Sequence, residues 1–519
     1  MSAGVLLRRS VPGASAPGRH RALRPSPCQA AGALFWVVVS LAYWRVPPCC
    51  DAGQHAAVIE RLRSGLLEPR HPMADLPGAG SPYYSPYAVT EGVLARLTGL
   101  TGWQLLRVAG PLNLLVLLGG LGRFVRVLTE RRWAPVLALG CVTLLWGTER
   151  AWWSGYLGLM PLTGNLGYPS TFATGLTLWA WALTGRRARD AGPVRFVGPR
   201  GLRGPGGYAG LGVLYGVVLL VHPITAVAAG LGASACVAGW QRRWRPRVAA
   251  RWLLTAAVAL AVAAAWPYFD LFALAGDGRL DAIHEVLYRD VVGHFWLAAL
   301  GLPALGARAR RSRGRDPLVL MFALDCLVVA YGRVSGHFTY GRVLGPALLG
   351  PQLAAAVEVA AARPWAPWRR ALGWVTAAGA CLGLVTVQAG AVVPRSLDPV
   401  GLEQPPRWPS YGWAARHMRR GDVVLTDGYR ALHSIAGYGV NLVAPLWPDR
   451  ALDERVRQRR ARDVRAYLDG RTSRAGRLAV VRRYHVRWLL LTRGQPVPGE
   501  AVTVARSRRT GEVLARVGG

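Results

Sequence analysis

The chain has 519 residues, of which 52% are hydrophobic, and its mean hydropathy is +0.22. This composition is too apolar for an ordinary soluble protein and predicts a polytopic membrane protein. The net charge of +36 comes from 63 basic and 27 acidic residues, and every Lys/Arg position is arginine. Nucleic-acid binding is one explanation of this charge, and arginine-rich loops on one side of a membrane are the other.

The N-terminal residues 1–28 are rich in Arg, Pro and Ser and predict a disordered cytosolic tail. The first apolar run, Ala30–Tyr43, is followed by no small-residue cleavage site, so it predicts an uncleaved signal anchor. With the later apolar stretches it gives about eleven transmembrane helices. The later stretches lie at Gln104–Leu121, Trp133–Trp146, Thr171–Leu183, Tyr208–Val221, Ile224–Trp240, Trp252–Phe269, Val291–Leu305, Pro317–Tyr331, Leu344–Ala361 and Ala371–Val393.

Arginine-rich loops alternate along the chain with longer loops that carry Trp, Tyr, His and acidic residues. The arginine-rich loops are Arg123–Arg132, Arg186–Arg203, Arg242–Arg251, Ala307–Arg315 and Arg363–Arg370. The mixed loops are Arg45–Trp103, Thr148–Ser170, Asp270–Asp290 and Gly332–Arg342. Positive charge favours the cytosolic side, so the pattern predicts a cytosolic N-terminus and mixed loops outside. It also accounts for much of the charge without nucleic acid.

The composition changes after the last apolar stretch, which divides the chain into a transmembrane domain, 29–393, and a C-terminal domain, 394–519. Alternating and apolar runs predict strands at Asp422–Thr426, Asn441–Pro445, Val486–Thr492, Ala501–Ser507 and Glu512–Val517. Helices are predicted at Ala431–Tyr438, Leu452–Leu468 and Arg471–Tyr484. The second domain is therefore a small α/β domain, predicted outside the membrane.

Asp51 is the strongest candidate for a catalytic residue. It lies where the first predicted span ends and an amphipathic helix begins, in the long first outer loop 45–103. A carboxylate beside a leaving group can deprotonate or orient a sugar hydroxyl, and His55 lies one helical turn further on. The alternative is that Asp51 caps the helix, and a capping residue can also face a cavity.

Other residues on the predicted outer side are candidates for a functional role, and each of them also has a simple structural explanation. Glu149 is a second acid or a metal ligand, or it pairs with Arg150. His222 lies at membrane depth, where an ionisable group is a functional candidate, although Pro223 by itself accounts for a kink. The segment Ser81–Tyr87 is suited to line a sugar or lipid groove, or to anchor at the interface.

Arginines and histidines in the third and fourth outer loops are candidates for binding substrate or phosphate. Outer arginines break the positive-inside trend, and binding a lipid phosphate explains them, as does pairing with Asp281 or Asp290. We expect Arg333 or Arg342 to contact phosphate. The candidates are His284, Arg289, Arg333, His337, Tyr340 and Arg342. Walker A, HExxH, Gly-x-Ser-x-Gly and Cys-x-x-Cys motifs are absent from the sequence, so soluble-nucleotide chemistry and zinc hydrolysis gain no support.

This layout resembles the GT-C class of membrane glycosyltransferases, which includes protein O-mannosyltransferases, oligosaccharyltransferases and actinobacterial arabinofuranosyltransferases. The resemblance is carried by Asp51 after the first span, the number of spans and the outer C-terminal domain. Within that domain, Gly421–Asp427 and Arg483–Leu490 resemble the tail domain of bacterial proteins of this class. GT-C enzymes often have an acidic pair in the first loop, whereas here Cys50 precedes Asp51.

The resemblance implies transfer of a sugar from a polyprenyl-phosphate donor to a glycan, lipid or protein at the outer face of the plasma membrane. It implies no organic cofactor and leaves open a divalent cation. A transporter or lipid-glycan flippase is one alternative, for which only His222–Pro223 and Asp325 within a span give support. A non-catalytic protein of cell-envelope polysaccharide assembly is another, because the second acid is missing.

Overall fold

The computed structural model describes residues 25–190, 204–361 and 367–518. The predicted cytosolic tail therefore lies almost wholly outside the described residues, as do parts of the predicted loops Arg186–Arg203 and Arg363–Arg370. Every predicted apolar stretch is helical over most of its length. Helix starts follow local rules: Ser26 and Thr101 each form a capping box with a glutamine three residues on.

The membrane part consists of sixteen helices in the described residues. They are α1 (Pro27–Arg45), α2 (Ala52–Ser64), α3 (Pro86–Thr98), α4 (Gly102–Leu128), α5 (Ala134–Leu144), α6 (Leu159–Gly164), α7 (Pro169–Asp190), α8 (Pro205–Val221), α9 (Pro223–Trp240), α10 (Pro246–Ala264), α11 (Asp281–His284), α12 (Val291–Phe295), α13 (Leu302–Ser312), α14 (Pro317–Ser335), α15 (Leu344–Ala360) and α16 (Pro367–Gly383). Short 3-10 turns extend several of them, including Glu285–Tyr288, Trp296–Gly301 and Phe338–Val343.

Eight helical segments within the described ranges have the length and hydropathy to cross a membrane, and α5 and α8 are shorter apolar helices. The chain is a multi-pass membrane protein, while the predicted number of eleven spans is not confirmed. Large apolar side chains project from the outside of the bundle, such as Leu253 (70% exposed), Leu327 (66%) and Trp374 (78%). Lipid hydrocarbon tolerates such exposure, which water would penalise.

Small residues allow the central helices to pack closely. The helices α4 and α7 cross at Gly120 and Gly175, where a methyl group on either residue would crowd the backbone of the other helix. Close backbone approach at small residues is the usual way in which helices associate inside a membrane. This contact ties α7, which follows the loop 148–170, to α4, which follows the loop 45–103.

The described C-terminal residues form a five-stranded mixed sheet with the order β2-β1-β3-β5-β4. The strands are β1 (Val423–Leu425), β2 (Asn441–Leu442), β3 (Val486–Leu491), β4 (Ala501–Arg506) and β5 (Val513–Val517), and the helices are α17 (Gly412–Ala415), α18 (Tyr429–Ser434), α19 (Glu454–Leu468) and α20 (Arg474–Tyr484). Strand β1 is parallel to β2 and β3, and the predicted terminal hairpin pairs antiparallel. The central strand β3 is buried along nearly its whole length, which explains its continuous apolar run.

Helix α2 joins the membrane part to the C-terminal domain. Glu60 accepts a hydrogen bond from the Gly102 amide at the start of α4, with N and Oε1 2.7 Å apart. Arg61 donates from Nη2 to Asn441 Oδ1 (2.6 Å) and to the Val440 carbonyl (2.9 Å). Because Glu60 and Arg61 are both buried, these bonds fix α2 between the start of α4 and the sheet domain.

Candidate active site

Asp51 occupies the position before α2, but its side chain does not serve as the cap. Among the described residues its carboxylate accepts no hydrogen bond from the first turn of α2. It accepts instead from the indole Nε1 of Trp447, 2.8 Å from Oδ1, and its side chain remains 41% exposed. The carboxylate is therefore oriented by a residue outside its own helix and stays accessible to a ligand.

The C-terminal domain closes one side of this position. Trp447 lies in the loop after β2, and His433 of α18 places Nδ1 3.7 Å from Asp51 Oδ1. Burial lowers the pKa of His433, while the nearby Asp51 charge raises it. The rings of His433 and Trp447 lie edge to face, with centroids 5.4 Å apart. Two side chains of the C-terminal domain thus lie beside the carboxylate of Asp51, which belongs to the loop 45–103.

His55 lies one turn further along α2, as the sequence predicts. Its ring packs edge to face on Tyr168, with centroids 4.7 Å apart, and faces Tyr83 at 6.1 Å. Burial lowers the pKa of His55 to about 4, with the charge of Asp51 opposing that effect. The imidazole is therefore neutral at neutral pH. Tyr168 in turn donates from its hydroxyl to the Cys49 carbonyl, 2.7 Å away, which fixes the turn before Asp51.

Arg342 brings a positive charge from the fourth mixed loop, 332–342, to the same region. It lies in the 3-10 turn before α15, and its Nη2 donates to Ser154 Oγ at 2.6 Å. Its charge interacts with Asp51, Tyr83 and Tyr156. Arg333, the other predicted phosphate ligand, is exposed in the last turn of α14. Of the two arginines, Arg342 is the one that interacts with Asp51.

A hydrogen-bonded chain links the third and fourth mixed loops, 270–290 and 332–342, beside Arg342. Asp281 Oδ1 accepts from the Thr339 hydroxyl (2.7 Å), and Thr339 Oγ1 lies 3.0 Å from His284 Nδ1. Since the hydroxyl donates to the carboxylate, His284 Nδ1 carries the proton in this pair and its Nε2 is the basic nitrogen. Burial lowers the pKa of His284 to about 3, and the charge of Arg342 adds to the effect.

His222 and the remaining fourth-loop candidates have structural partners. His222 caps α9: its Nδ1 lies 3.3 Å from the Thr225 amide nitrogen and 2.7 Å from Thr225 Oγ1. It also interacts electrostatically with Arg342, His55 and His284. His337 Nδ1 lies 3.2 Å from Asp281 Oδ2, and Tyr340 packs against the His337 ring. His222 thus lies near the Asp51 region, whereas His337 and Tyr340 support the loop that carries Thr339.

Two predicted residues lie in other surroundings. Arg289 is exposed and pairs with Glu285 at 3.6 Å. Glu149 is exposed as well, and its ligand atoms, with those of Asp290 and His294, lie within 4.8 Å of one another. The Thr148 and Glu149 amides both donate to the Gly293 carbonyl, which holds the two segments together. Two carboxylates and an imidazole suit a divalent cation such as Zn²⁺ or Mn²⁺.

The sequence did not indicate several residues of this region. Trp447 stands 396 positions from Asp51, in a loop with no recognisable motif. His433 was predicted only as part of a helix, and Ser154 and Thr339 are common polar residues in long loops. Only the packing of separate loops shows that these side chains meet. The one signal that points to Trp447 is its place in the loop after β2, because loops that follow strands often carry function.

No protein-family model matches the sequence, and no curated protein matches it either. Among solved structures, the chain is similar to the arabinofuranosyltransferase AftD from Mycobacteria, with a TM-score of 0.52 and 15% identity over 95% of this chain and 41% of that chain. It is also similar to the oligosaccharyltransferase AglB from Archaeoglobus fulgidus in complex with an inhibitory peptide and a dolichol-phosphate. That TM-score is 0.47, with 12% identity over 89% of this chain and 69% of that chain. A second AglB structure, the complex with Zn and sulfate, gives a TM-score of 0.45 and 11% identity over 88% of this chain and 67% of that chain.

The similarity to AftD confirms the predicted GT-C-like fold, a helical membrane domain with a small C-terminal sheet domain. At 15% identity it shows the fold alone, and this chain spans less than half of AftD. The AglB structures are more distant and carry no argument about this chain. The function of the Asp51 region therefore depends on the residues that form it and does not follow from the fold.

Proposed function

We propose that this protein is a membrane glycosyltransferase that moves a sugar from a polyprenyl-phosphate donor to a hydroxyl group of a glycan, lipid or protein acceptor. The observation that carries the proposal is the Asp51 carboxylate at the end of the first span. It is oriented by Trp447, partly exposed, and interacts with the Arg342 charge. A general base with a cation nearby suits glycosyl transfer from a phosphate, because the base can take the acceptor proton and the cation can stabilise the phosphate charge.

In this proposal Asp51 is the general base. Trp447 holds Oδ1, and Oδ2 takes the proton from the acceptor hydroxyl. The acceptor oxygen forms a bond to the anomeric carbon of the donor sugar while the bond from that carbon to the phosphate oxygen breaks. The polyprenyl phosphate leaves with the bonding electron pair. A carboxylate held in one orientation avoids the cost of reorganising during the step.

Arg342 is the proposed ligand of the donor phosphate. Its guanidinium is anchored by Ser154 through Nη2, which leaves further N–H groups for the phosphate oxygens. The neutral His284, held by Thr339 and Asp281, and His222 would border the same phosphate. Phosphate binding would separate the leaving group from Asp51, so the two negative charges need not share one position.

We place the site at the outer face of the plasma membrane, with the N-terminus in the cytosol. The support is the alternation of arginine-rich and mixed loops along the sequence. Asp51, Ser154, His284 and Arg342 all belong to mixed loops, so they share the proposed outer side with the C-terminal domain. A membrane-bound lipid donor can then reach Asp51 from the lipid side.

A divalent cation, if this enzyme uses one, would be held by Glu149, Asp290 and His294. Asp290 Oδ1 accepts from the Gly293 amide at 3.1 Å, which orients this carboxylate within the cluster. A cation bound there would supply Lewis-acid chemistry to an oxygen ligand at that position. This assigns Glu149 to metal binding rather than to proton transfer.

The proposal is tested by Asp51→Asn in the full-length protein, reconstituted in vesicles with a series of polyprenyl-phosphate sugars. Donor binding and sugar transfer are measured separately. The matched control is Asp75→Asn, because Asp75 lies in the same loop, has the same 41% side-chain exposure and pairs with Arg70 at the surface. We expect Asp51→Asn to lower transfer by about 10²–10⁴-fold, the usual range for a general base, with donor binding kept.

Two outcomes would contradict the proposal. If Asp51→Asn transfers sugar as fast as Asp75→Asn, Asp51 is not the base. If the wild-type protein binds donor but transfers to no acceptor, the chain is better explained as a non-catalytic assembly protein. Movement of the lipid donor across the vesicle membrane without transfer would favour a flippase instead.

A further inference from the structure

Two cysteines immediately precede Asp51, and the mechanism above uses neither. The Sγ atoms of Cys49 and Cys50 lie 2.9 Å apart, in hydrogen-bond contact. We infer that Cys49 and Cys50 are a site of covalent modification, at which the two thiols form a disulfide between adjacent residues. The inference rests on the proposed outer orientation of the first loop, because disulfides persist in oxidising compartments.

The surroundings favour pairing within this site over pairing with another cysteine. Cys49 is 2% exposed, whereas Cys50 is partly exposed and can meet an oxidant. The backbone of Cys50 is in the left-handed region, with φ at 54°, so the chain turns sharply between the two thiols and Asp51. The remaining cysteines lie on five separate helices: Cys28, Cys141, Cys236, Cys326 and Cys381.

The chemistry needs an extracytoplasmic disulfide, R–S–S–R, as the oxidant. Contact with Cys49 lowers the pKa of the Cys50 thiol, so Cys50 is the attacking thiolate. Cys50 Sγ bonds to one sulfur of the oxidant and releases R–S⁻, which takes up a proton. Cys49 then loses its proton and attacks Cys50 Sγ, releasing the second R–S⁻. Two thiols are oxidised and one disulfide is reduced to two thiols.

The bond would close a ring in the turn that presents the catalytic candidate. The Cys49 carbonyl already accepts from the Ala52 amide (3.1 Å) and from the Tyr168 hydroxyl (2.7 Å). A disulfide restricts this turn further, immediately before Asp51. Adjacent Cα atoms are only about 3.8 Å apart, less than in most disulfides, so the bond is expected to be readily reduced.

The test measures the thiols of the full-length protein as isolated in membranes, without any reductant. The protein is unfolded in detergent with N-ethylmaleimide, digested and analysed by mass spectrometry, and the labelling is repeated after reduction. We expect the Cys49–Cys50 peptide to be unlabelled at first, lighter than the dithiol form by two hydrogen atoms, and doubly labelled after reduction. The five other cysteines should label directly.

The control variant is Cys50→Ser, in which Cys49 should label without reduction. Labelling of both Cys49 and Cys50 in the wild-type protein before reduction would overturn the inference. Because the measurement involves no sugar transfer, its failure is distinct from failure of the proposed glycosyltransferase. Conversely, if Asp51 proves not to be the general base, the labelling expected for Cys49 and Cys50 stays the same.

Discussion

At the scale of single residues, Asp51 is notable for the hydrogen bond that its side chain makes. An aspartate before a helix usually caps it, yet this carboxylate binds the Trp447 indole and keeps 41% of its surface exposed. The partly buried His55, with its pKa near 4, gives a neutral neighbour rather than a competing cation. The positive charge near Asp51 instead comes from Arg342. Substitutions at Trp447 and at Arg342 test the hydrogen bond to Asp51 and the nearby positive charge separately.

Trp447→Phe removes the indole N–H that donates to Asp51 and retains an aromatic ring. A hydrogen bond to a charged group contributes about 1.5–3 kcal/mol, so we expect the rate of transfer to fall by about 10- to 100-fold. The control is Trp374→Phe, because Trp374 is exposed on the outside of α16. Equal rates for the two variants in the vesicle assay would show that Trp447 does not orient Asp51.

Arg342→Gln removes the charge proposed to hold the donor phosphate. We expect the Kd for a polyprenyl-phosphate sugar to rise by about 10- to 100-fold, since a charge-assisted hydrogen bond is lost. Arg333→Gln, on the exposed end of α14, should leave the Kd unchanged. Binding of a fluorescent donor lipid to the two purified variants measures both values. A larger effect at Arg333 would reverse the assignment.

At the scale of elements, α2 positions the site. The first residue of α2 follows Asp51, and the N-terminal end of α2 packs on α18. Further along α2, Glu60 binds the start of α4 and Arg61 binds the C-terminal domain. The closest approach is at Gly53, where a methyl group would overlap the His433 carbonyl oxygen. A shift of this contact would move His433 away from Asp51.

Gly53→Ala is therefore expected to destabilise the protein by about 1–3 kcal/mol, the usual cost of overpacking. Gly230→Ala on α9 is the control, since in the described parts of the chain no atom lies within 4 Å of a methyl group built there. Thermal unfolding in detergent measures both. We also expect the segment 394–411 to be cleaved faster by a protease in Gly53→Ala, but not in the control Gly230→Ala. An unfolding temperature equal to that of the control would contradict the tight α2–α18 contact.

At the scale of the whole molecule, the loop 45–103 is packed between the spans and the sheet domain, and some of its ionisable groups are buried. Glu91 on α3 is 6% exposed, and in the described residues its Oε1 has no hydrogen-bond partner. Burial raises the pKa of Glu91 to about 8. Its ordinary pKa is about 4.3, so the folded protein keeps a proton that the unfolded chain releases.

The sign of the resulting pH dependence follows from proton binding. Below the ordinary pKa both states are protonated, and between that pKa and 8 only the folded state is, so Glu91 makes the protein less stable as pH rises. Glu91→Gln should match the wild type near the acid end and exceed its unfolding temperature increasingly up to about pH 8. Thermal unfolding at several pH values measures the difference. A constant difference across the range would mean that Glu91 titrates normally.

The sequence by itself determined the class of fold and most elements. Length and hydropathy predict spans because a lipid bilayer has a fixed thickness, and the predicted runs are helical. Alternating and apolar runs predict the strands of the C-terminal domain, because side chains on a strand face opposite sides. It also singled out Asp51, because a carboxylate in the loop that follows the first span can act as a general base there.

Only the tertiary structure decided what surrounds Asp51. Trp447 and His433 come from the other end of the chain, and Arg342 from the loop 332–342, so no local pattern links them to Asp51. The tertiary structure also distinguishes the two candidate arginines, because Arg333 is exposed whereas Arg342 interacts with Asp51. It places Glu149 with Asp290 and His294 and not with Asp51. Such contacts depend on how long loops pack between domains, and periodicity, which reports only on neighbours along the chain, contains no information about them.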